Sequence, residues 1–314
     1  MNFPARVSDF EALQELELPF YMAIGVFDGM HRGHKAVIGS AITGAQEAGG
    51  VSGVLTFDPH PSRLFRGAEG TRLILPISQK IALLHGEGVQ VVIGKQFDAA
   101  FAAIEAADFA SFLKTALPSL KGISVGSNFR FGRQRAGDAA LLKQTGEAAG
   151  LSVTVVERLQ HEGEAISSTR IREALESGAI ESVNALLGYR YGFTGRVVTG
   201  ARKGREFGFP TLNLPWAPEC LPRFGVYRVR LRAAGAIQWE DGIANYGVKP
   251  TVSETAEPAL EVHVLDGTDL DAGASVEVEW LDFLRGEQKF ETEAVLRAQI
   301  AQDVAWARKQ VSNG

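Results

Sequence analysis

Near residue 188 the hydrophobic rhythm of the chain changes, and no single-layer fold accommodates both halves. Before that point short apolar runs, predicted as strands at 22–26, 51–57, 89–93, 123–126 and 151–156, alternate with helical stretches. Those stretches fall at about 31–48, 78–86, 99–117, 138–150 and 168–178, several opened by Ser, Thr or Asp and closed by Gly. Strand–helix alternation requires crossover connections, hence a parallel sheet covered on both faces. After Tyr191 the period shortens to two. Segments 193–199, 225–232, 238–245, 259–265 and 275–283 are separated by Gly, Pro and Asp, an antiparallel pattern closer to a barrel than to a layered domain. One helix follows at about 292–310, with Val295, Leu296, Ile300 and Val304 on one side. The domain boundary is expected at 184–189, giving domains 1–186 and 187–314. A chain of 314 residues exceeds the usual size of a single core, in agreement with two.

Bulk properties narrow the function classes. Hydrophobic residues make up 45% and charged residues 22%, enough apolar material for two cores. A net charge of -5 argues against generic duplex nucleic-acid binding, but leaves room for small anionic ligands held by local arginines and helix N-termini. The lone cysteine, Cys220, allows no intramolecular disulfide and suits a reducing compartment. Charged residues interrupt the first twenty positions, and no window approaches the ~18 apolar residues of a membrane span. The expectation is a cytoplasmic protein without membrane or nucleic-acid partners.

The most informative run is Gly25-Val26-Phe27-Asp28-Gly29-Met30-His31-Arg32-Gly33-His34, directly after a predicted buried strand and opening a helix. Gly25 and Gly29 permit tight backbone and close approach of phosphate oxygens. The helix N-terminus offers free N–H groups and partial positive charge. His31 and His34, three apart, share one face and can both reach a polyphosphate, stabilising charge on an α-phosphate and a departing pyrophosphate. An accidental or metal-binding histidine pair is the alternative. Ser167-Ser168-Thr169-Arg170 stands at another helix start, where hydroxyls, N–H groups and the Arg170 fork are able to hold β- and γ-phosphates. Thr56-Phe57-Asp58-Pro59-His60-Pro61 and Gly126-Ser127-Asn128-Phe129-Arg130-Phe131-Gly132 each follow a strand, where the ligand loops of parallel sheets gather. Their aromatic, amide and cationic groups suit a flat phosphorylated aromatic ligand; core packing of one phenylalanine explains the aromatics equally well.

In the β-rich half, Gly200 to Asn213 forms a glycine- and base-rich stretch, GARKGREFGFPTLN. Thr211 and Asn213 alternate on an extended segment, point the same way and can jointly ligate Mg²⁺. No GxxxxGK[ST] loop is present, so a Walker-type kinase is excluded.

With these motifs in this order, the first half resembles the adenylyltransferase half of prokaryotic bifunctional riboflavin kinase/FAD synthetases. The runs Gly225-Val226-Tyr227, Asn245 to Thr251, Leu260-Glu261-Val262-His263, Leu284 to Phe290 and Gln299 to Asp303 resemble its kinase half. The resemblance implies a Rossmann-like nucleotidyltransferase domain followed by a six-stranded antiparallel barrel. It implies phosphorylation of riboflavin to FMN and adenylylation of FMN to FAD, with ATP as co-substrate, Mg²⁺ as cofactor and flavin as substrate and product. It assigns catalysis to His31, His34, Arg170 and Glu261, the last as general base. Nucleotide contacts fall to Gly25, Phe27, Asp28, Gly29, Gly33, Ser168, Thr169, Gly204, Arg205, Gly208 and Pro210. Flavin contacts fall to Asn128, Phe131, Phe65 and Asn245, and metal ligation to Thr211 and Asn213. One departure stands out. The family carries a phenylalanine and an LYG triplet after the Glu-bearing strand, whereas residues 265–273 here contain no aromatic. The expected consequence is an altered loop wall near the flavin, and the alternative function is adenylyl transfer alone.

Overall fold

The computed structural model describes residues 6–200, 203–248 and 258–312, and the chain divides after Ser168 into two compact units. In the first, six parallel strands form one sheet in the order β1-β4-β3-β2-β5-β8. They are β1 (Arg6–Val7), β2 (Phe20–Ile24), β3 (Val51–Phe57), β4 (Val91–Lys95), β5 (Leu120–Gly126) and β8 (Ser152–Val156). Between the last two, β6 (Arg130–Phe131) and β7 (Gly137–Asp138) pair as a small hairpin. Every residue of β3 is buried, as expected for a central parallel strand packed on both faces. The strand order reverses beside β2, so the crevice between the carboxyl ends of β2 and β5 is a topological switch point, where ligands of open α/β sheets bind.

Helix α1 (Arg32–Glu47) leaves β2 and buries Val37, Ile38, Ala41 and Ala45. Helix α2 (Ser62–Arg66) follows β3, and α3 (Ile77–Gly86) leads to β4. The helical stretch expected across 99–117 is instead two helices, α4 (Ala99–Ala102) and α5 (Phe109–Ala116). The carbonyl of Ile104 is diverted to the N–H of Arg133 at 2.7 Å, and the Arg133 guanidinium pairs with Glu105. A tertiary hydrogen bond has replaced a helical one.

Helix α6 (Ala139–Ala148), capped by Asp138, leads into β8. A short hairpin of β9 (Gln160–His161) and β10 (Glu164–Ala165) precedes α7 (Ser168–Ser177) and α8 (Ile180–Leu187).

The second unit is a nearly closed antiparallel barrel ordered β11-β16-β13-β14-β15-β12. Its strands are β11 (Gly192–Arg196), β12 (Leu212–Pro215), β13 (Gly225–Ala233), β14 (Glu240–Val248), β15 (Pro258–Val264) and β16 (Ser275–Gly286), with a short helix, α9 (Lys203–Glu206), between β11 and β12. A bridge between Val198 and Asn213 brings the two ends together. Trp280, Tyr227, Tyr246 and Tyr191 are fully buried in its core, with Trp280 edge-on to Tyr227 at 4.4 Å. Cys220 is buried in the loop before β13.

Helices α7 and α8 are tied to the barrel. The Asn184 amide donates to the carbonyl of Trp280 and accepts from the N–H of Tyr191, and the N–H of Arg223 donates to Leu175. The terminal helix α10 (Glu293–Ser312) packs Val304 and Ala307 against Val226, Ile243 and Leu265. Val295, expected on its apolar side, is exposed. The packed face is displaced toward the C-terminal turns, where Asp303 receives Arg285.

Candidate active sites

In the first unit the site begins at the end of β2. Phe27 and Met30 hold positive φ (51° and 42°), and Gly29 stands at φ 81° with Ile74 so close that a Cβ would lie 2.9 Å from its Cδ1. The left-handed turn thus requires glycine at 29. The buried Asp28 carboxylate accepts N–H bonds from Ile74 and Leu75, and the Ser168 hydroxyl donates to the Asp28 carbonyl at 2.8 Å. Asp28 is therefore placed as a clamp on the neighbouring loop. Ser168 joins the two motifs. Thr169 and Arg170 continue the first turn of α7, Thr169 exposed and Arg170 half-buried.

His31 caps α1, its Nδ1 accepting the N–H of His34 at 3.2 Å. In its neutral form the ring proton therefore lies on Nε2, leaving one donor. Gly33 makes this possible, since a Cβ there would press on the His31 ring at 3.2 Å, while Gly25 leaves space for the Phe27 ring. The two imidazoles stack at 3.5 Å between centroids, and Phe27 sits edge-on to His34 at 5.3 Å. Burial, outweighing its backbone contacts, lowers the pKa of His31 to about 4, and the charge of Arg158 adds to the effect. Burial lowers His34 further below the ordinary range, with the charges of His31 and Lys80 acting in the same direction. The result is a pair of neutral, closely stacked imidazoles.

Sequence reasoning missed Lys80 and Arg158. Lys80 carried a signal, because it lies three residues after Ile77 and four before Leu84, on the apolar side of α3.

The expected flavin residues separate. Phe65 on α2 is 72% exposed, with Phe97 6.3 Å away, and offers a free aromatic face. Asn128 is exposed in the turn after β5. Phe131 is a core residue at 5% exposure, packed on Phe109, so it departs from the expectation of a ligand platform; half-buried Phe129 stacks over it. The core-packing alternative holds for Phe131.

In the barrel, Leu260, Val262 and Val264 point inward, which puts Glu261 and His263 on the outer face of β15. Glu261 stands directly across from Asn213 on β12 and from Asn245 on β14. Directly opposed residues share a face, so the three form a row. Asn213 is buried, Glu261 half-buried and Asn245 exposed. His263 Nδ1 meets the Pro210 carbonyl at 2.9 Å, pinning the residue before Thr211. Thr211, Asn213, Arg205, Pro210 and Gly200 line a cavity of about 530 Å³. Gly204 packs its backbone on Phe209, and Gly208 holds φ 85° in the turn between them.

Gly267, Thr268, Leu270, Asp271 and Ala272 line the same cavity. The loop without an aromatic is thus a wall beside Thr211 and Asn213. Ala201, Arg202 and Lys249-Pro250-Thr251 lie outside the described residues.

Comparison with known proteins gives a family for each part of the chain. The FAD synthetase family model matches residues 13–170 and the riboflavin kinase family model residues 187–311. A bifunctional riboflavin kinase/FMN adenylyltransferase of Escherichia coli (strain K12) is 36% identical over 292 residues, 92% of this chain and 91% of its own. A protein of the same description from Bacillus subtilis (strain 168) is 33% identical over 305 residues, 96% and 95% of the two chains. The crystal structure of a protein described as a macrolide-efflux protein from Streptococcus pneumoniae superposes with a TM-score of 0.86 at 28% identity, over 96% of this chain and 98% of that one. Among the described residues no helix is long and apolar enough to cross a membrane.

Proposed function

The chain belongs to the family of bifunctional riboflavin kinase/FMN adenylyltransferases, and on that premise we propose which residues perform each of its two reactions. It phosphorylates riboflavin to FMN with ATP, then transfers AMP from a second ATP to FMN, giving FAD and pyrophosphate. Riboflavin, FMN and ATP are its small-molecule partners. We place it in the cytoplasm on the strength of its single reduced cysteine.

For adenylyl transfer, His31 and His34 receive the charge that develops on the α-phosphate and the leaving pyrophosphate. Neutral in the free site, they gain most from an anion placed against them. The first turn of α7, with Ser168, Thr169 and Arg170, holds the outer phosphates. The FMN ring is received near Phe65 and Asn128, with Phe129 the half-buried partner of the buried Phe131. The stacked histidine pair at the switch point is the observation that carries this reading.

For phosphorylation, Glu261 accepts the proton of the ribityl hydroxyl as the phosphoryl group arrives. Asn245 borders the riboflavin end of the row, and Arg205 with the Gly204–Gly208 backbone borders the phosphate end. The Thr211 hydroxyl and Asn213 amide oxygen are hard donors of the kind Mg²⁺ takes. These two oxygens, completed by nucleotide phosphates, would hold the ion. Bound there, the ion would neutralise phosphate charge. The reading in which only adenylyl transfer survives has no support, since the row around Glu261 is intact and both family models match.

Two incubations test this: riboflavin, ATP and Mg²⁺, and separately FMN, ATP and Mg²⁺, with products resolved by chromatography. The wild type should give FAD in both. His31→Ala should lower FAD formation at least ~10²-fold and spare FMN formation. Glu261→Gln should do the reverse, and persistence of FMN formation in that variant would refute the base assignment.

A further inference from the structure

Lys80 is the one buried lysine among the described residues, at 5% exposure on α3. Its ammonium donates to the carbonyl of Val26 and to Thr56 Oγ1, each at 3.0 Å, and Thr56 Oγ1 donates to the same carbonyl at 2.9 Å. Both acceptors are neutral. No carboxylate among the described residues comes within ion-pair distance of Nζ; Asp28 and Asp58 act on it from farther away, as does the cation of Arg6, and His34 feels its charge. A buried cation solvated by neutral oxygens is costly unless something anionic completes it.

The atoms it holds are informative. Val26 is the second residue past β2 and precedes left-handed Phe27, while Thr56 lies near the end of β3. The turn is therefore fixed on both sides of Phe27: at residue 26 by Lys80 and Thr56, at residue 28 by Ile74, Leu75 and Ser168. Phe27 in turn packs edge-on to His34, which stacks on His31.

We propose that Lys80 is a positioning residue for adenylyl transfer, tying the Val26 carbonyl to the Thr56 hydroxyl so that Phe27 and the histidine pair stay in register, and supplying from beneath the loop the positive charge that the triphosphate completes. This rests on the adenylyl-transfer reading of the first unit. Lys80 touches no reacting atom. Its effect passes through Val26, Phe27 and His34 and through its field, so it should appear in turnover more than in binding. Burial lowers its pKa to about 8, opposed by Asp28 and Asp58 and aided by Arg6. The charge is then lost on the alkaline side, and FAD formation should fall as the pH rises through that region.

The experiment uses the full chain with FMN, ATP and Mg²⁺, measuring kcat and KM from pH 6.5 to 9.5, with FMN formation from riboflavin as the internal comparison. Lys80→Met should lower kcat for FAD about 10- to 100-fold, the scale of a misplaced catalytic group, with KM for ATP changed far less. Lys80→Arg should restore most of the turnover and move the alkaline limb upward, because a guanidinium keeps its proton. Thr56→Val, nearly isosteric, removes the hydroxyl link alone and should give a smaller loss of the same kind. It decides the matter if Lys80→Met fails to fold. Wild-type turnover in Lys80→Met overturns the proposal, as does an Arg variant with an unmoved alkaline limb, or a folded Thr56→Val with unchanged kcat. A wild-type chain that makes no FAD from FMN would instead overturn the underlying reading.

Discussion

Acidification should weaken the first unit through His31 and His34, the histidines proposed to receive phosphate charge. An unfolded histidine has a pKa near 6.5, and His31 in the folded chain is lowered to about 4 by burial. Because the folded value lies below the unfolded one, the unfolded chain binds the proton first. The contribution to stability is complete above about pH 6.5 and is lost as the pH falls toward 4. At pH 5 the difference between the two titrations amounts to about 2 kcal/mol for His31, approaching ~3 kcal/mol below pH 4. His34 is lowered in the same direction and adds to the loss. The tryptophans make the assay selective: Trp216, Trp239, Trp280 and Trp306, all four in the chain, lie in the second unit. Urea unfolding followed by tryptophan fluorescence reports the barrel, whereas far-UV circular dichroism also reports the helices of the first unit. His31→Asn keeps an N-cap acceptor but removes the titration. That variant should lose about 2 kcal/mol less than the wild type between pH 7.5 and pH 5 in the transition absent from the fluorescence. Equal losses would show that burial does not hold His31 neutral.

Three further outcomes follow from particular contacts. Gly29→Ala forces a side chain onto φ 81° and into Ile74 Cδ1; it should cost about 1–3 kcal/mol in the first unit and depress FAD formation, with FMN formation as the control. Asp303→Asn removes the charge that pairs with Arg285 Nη2 at 2.6 Å beneath α10, and should cost the barrel about 3 kcal/mol, read by tryptophan fluorescence in urea. Leu270→Asp puts a carboxylate in the wall shared with Thr211 and Asn213; KM for ATP in riboflavin phosphorylation should rise severalfold, and KM for riboflavin much less. A larger effect on riboflavin would return that loop to the flavin side.

The alternation of strands and helices was legible because burial on two faces leaves uninterrupted apolar runs such as Val51–Phe57, and the loop ending in His34 was legible because glycine spacing encodes its backbone. What escaped depends on partners distant in sequence. The break between α4 and α5 comes from Arg133 taking the Ile104 carbonyl, which the composition of residues 99–117 does not announce. Phe131 and Phe129 stand two apart in one motif, yet one is core and the other half-buried, a division set by Phe109. Period-three spacing put Val295 on the face of α10, whereas the Arg285–Asp303 pair fixes which turns meet the barrel. Lys80 was readable as a lysine on an apolar helix face, but its meaning required the carbonyl it holds.

On the proposed assignments, the two sites meet phosphate charge in different ways. In the first unit the polar groups are buried before any ligand arrives: Asp28, His31, Thr56 and Lys80 are all at or below 5% exposure, with His31 and His34 neutralised and Lys80 completed only by neutral oxygens. Such a site is preorganised, and its electrostatics change most when the polyphosphate enters. In the barrel, Glu261 is half-buried between a buried and an exposed asparagine on an outer face, so water reaches the row until substrate covers it. Acid and alkaline limbs in FAD formation should therefore trace to buried groups of the first unit, His31 and Lys80. FMN formation should follow its own pH profile, untouched by substitution at either position. A shared shift in both reactions would mean that the preorganised residues of the first unit also govern the barrel.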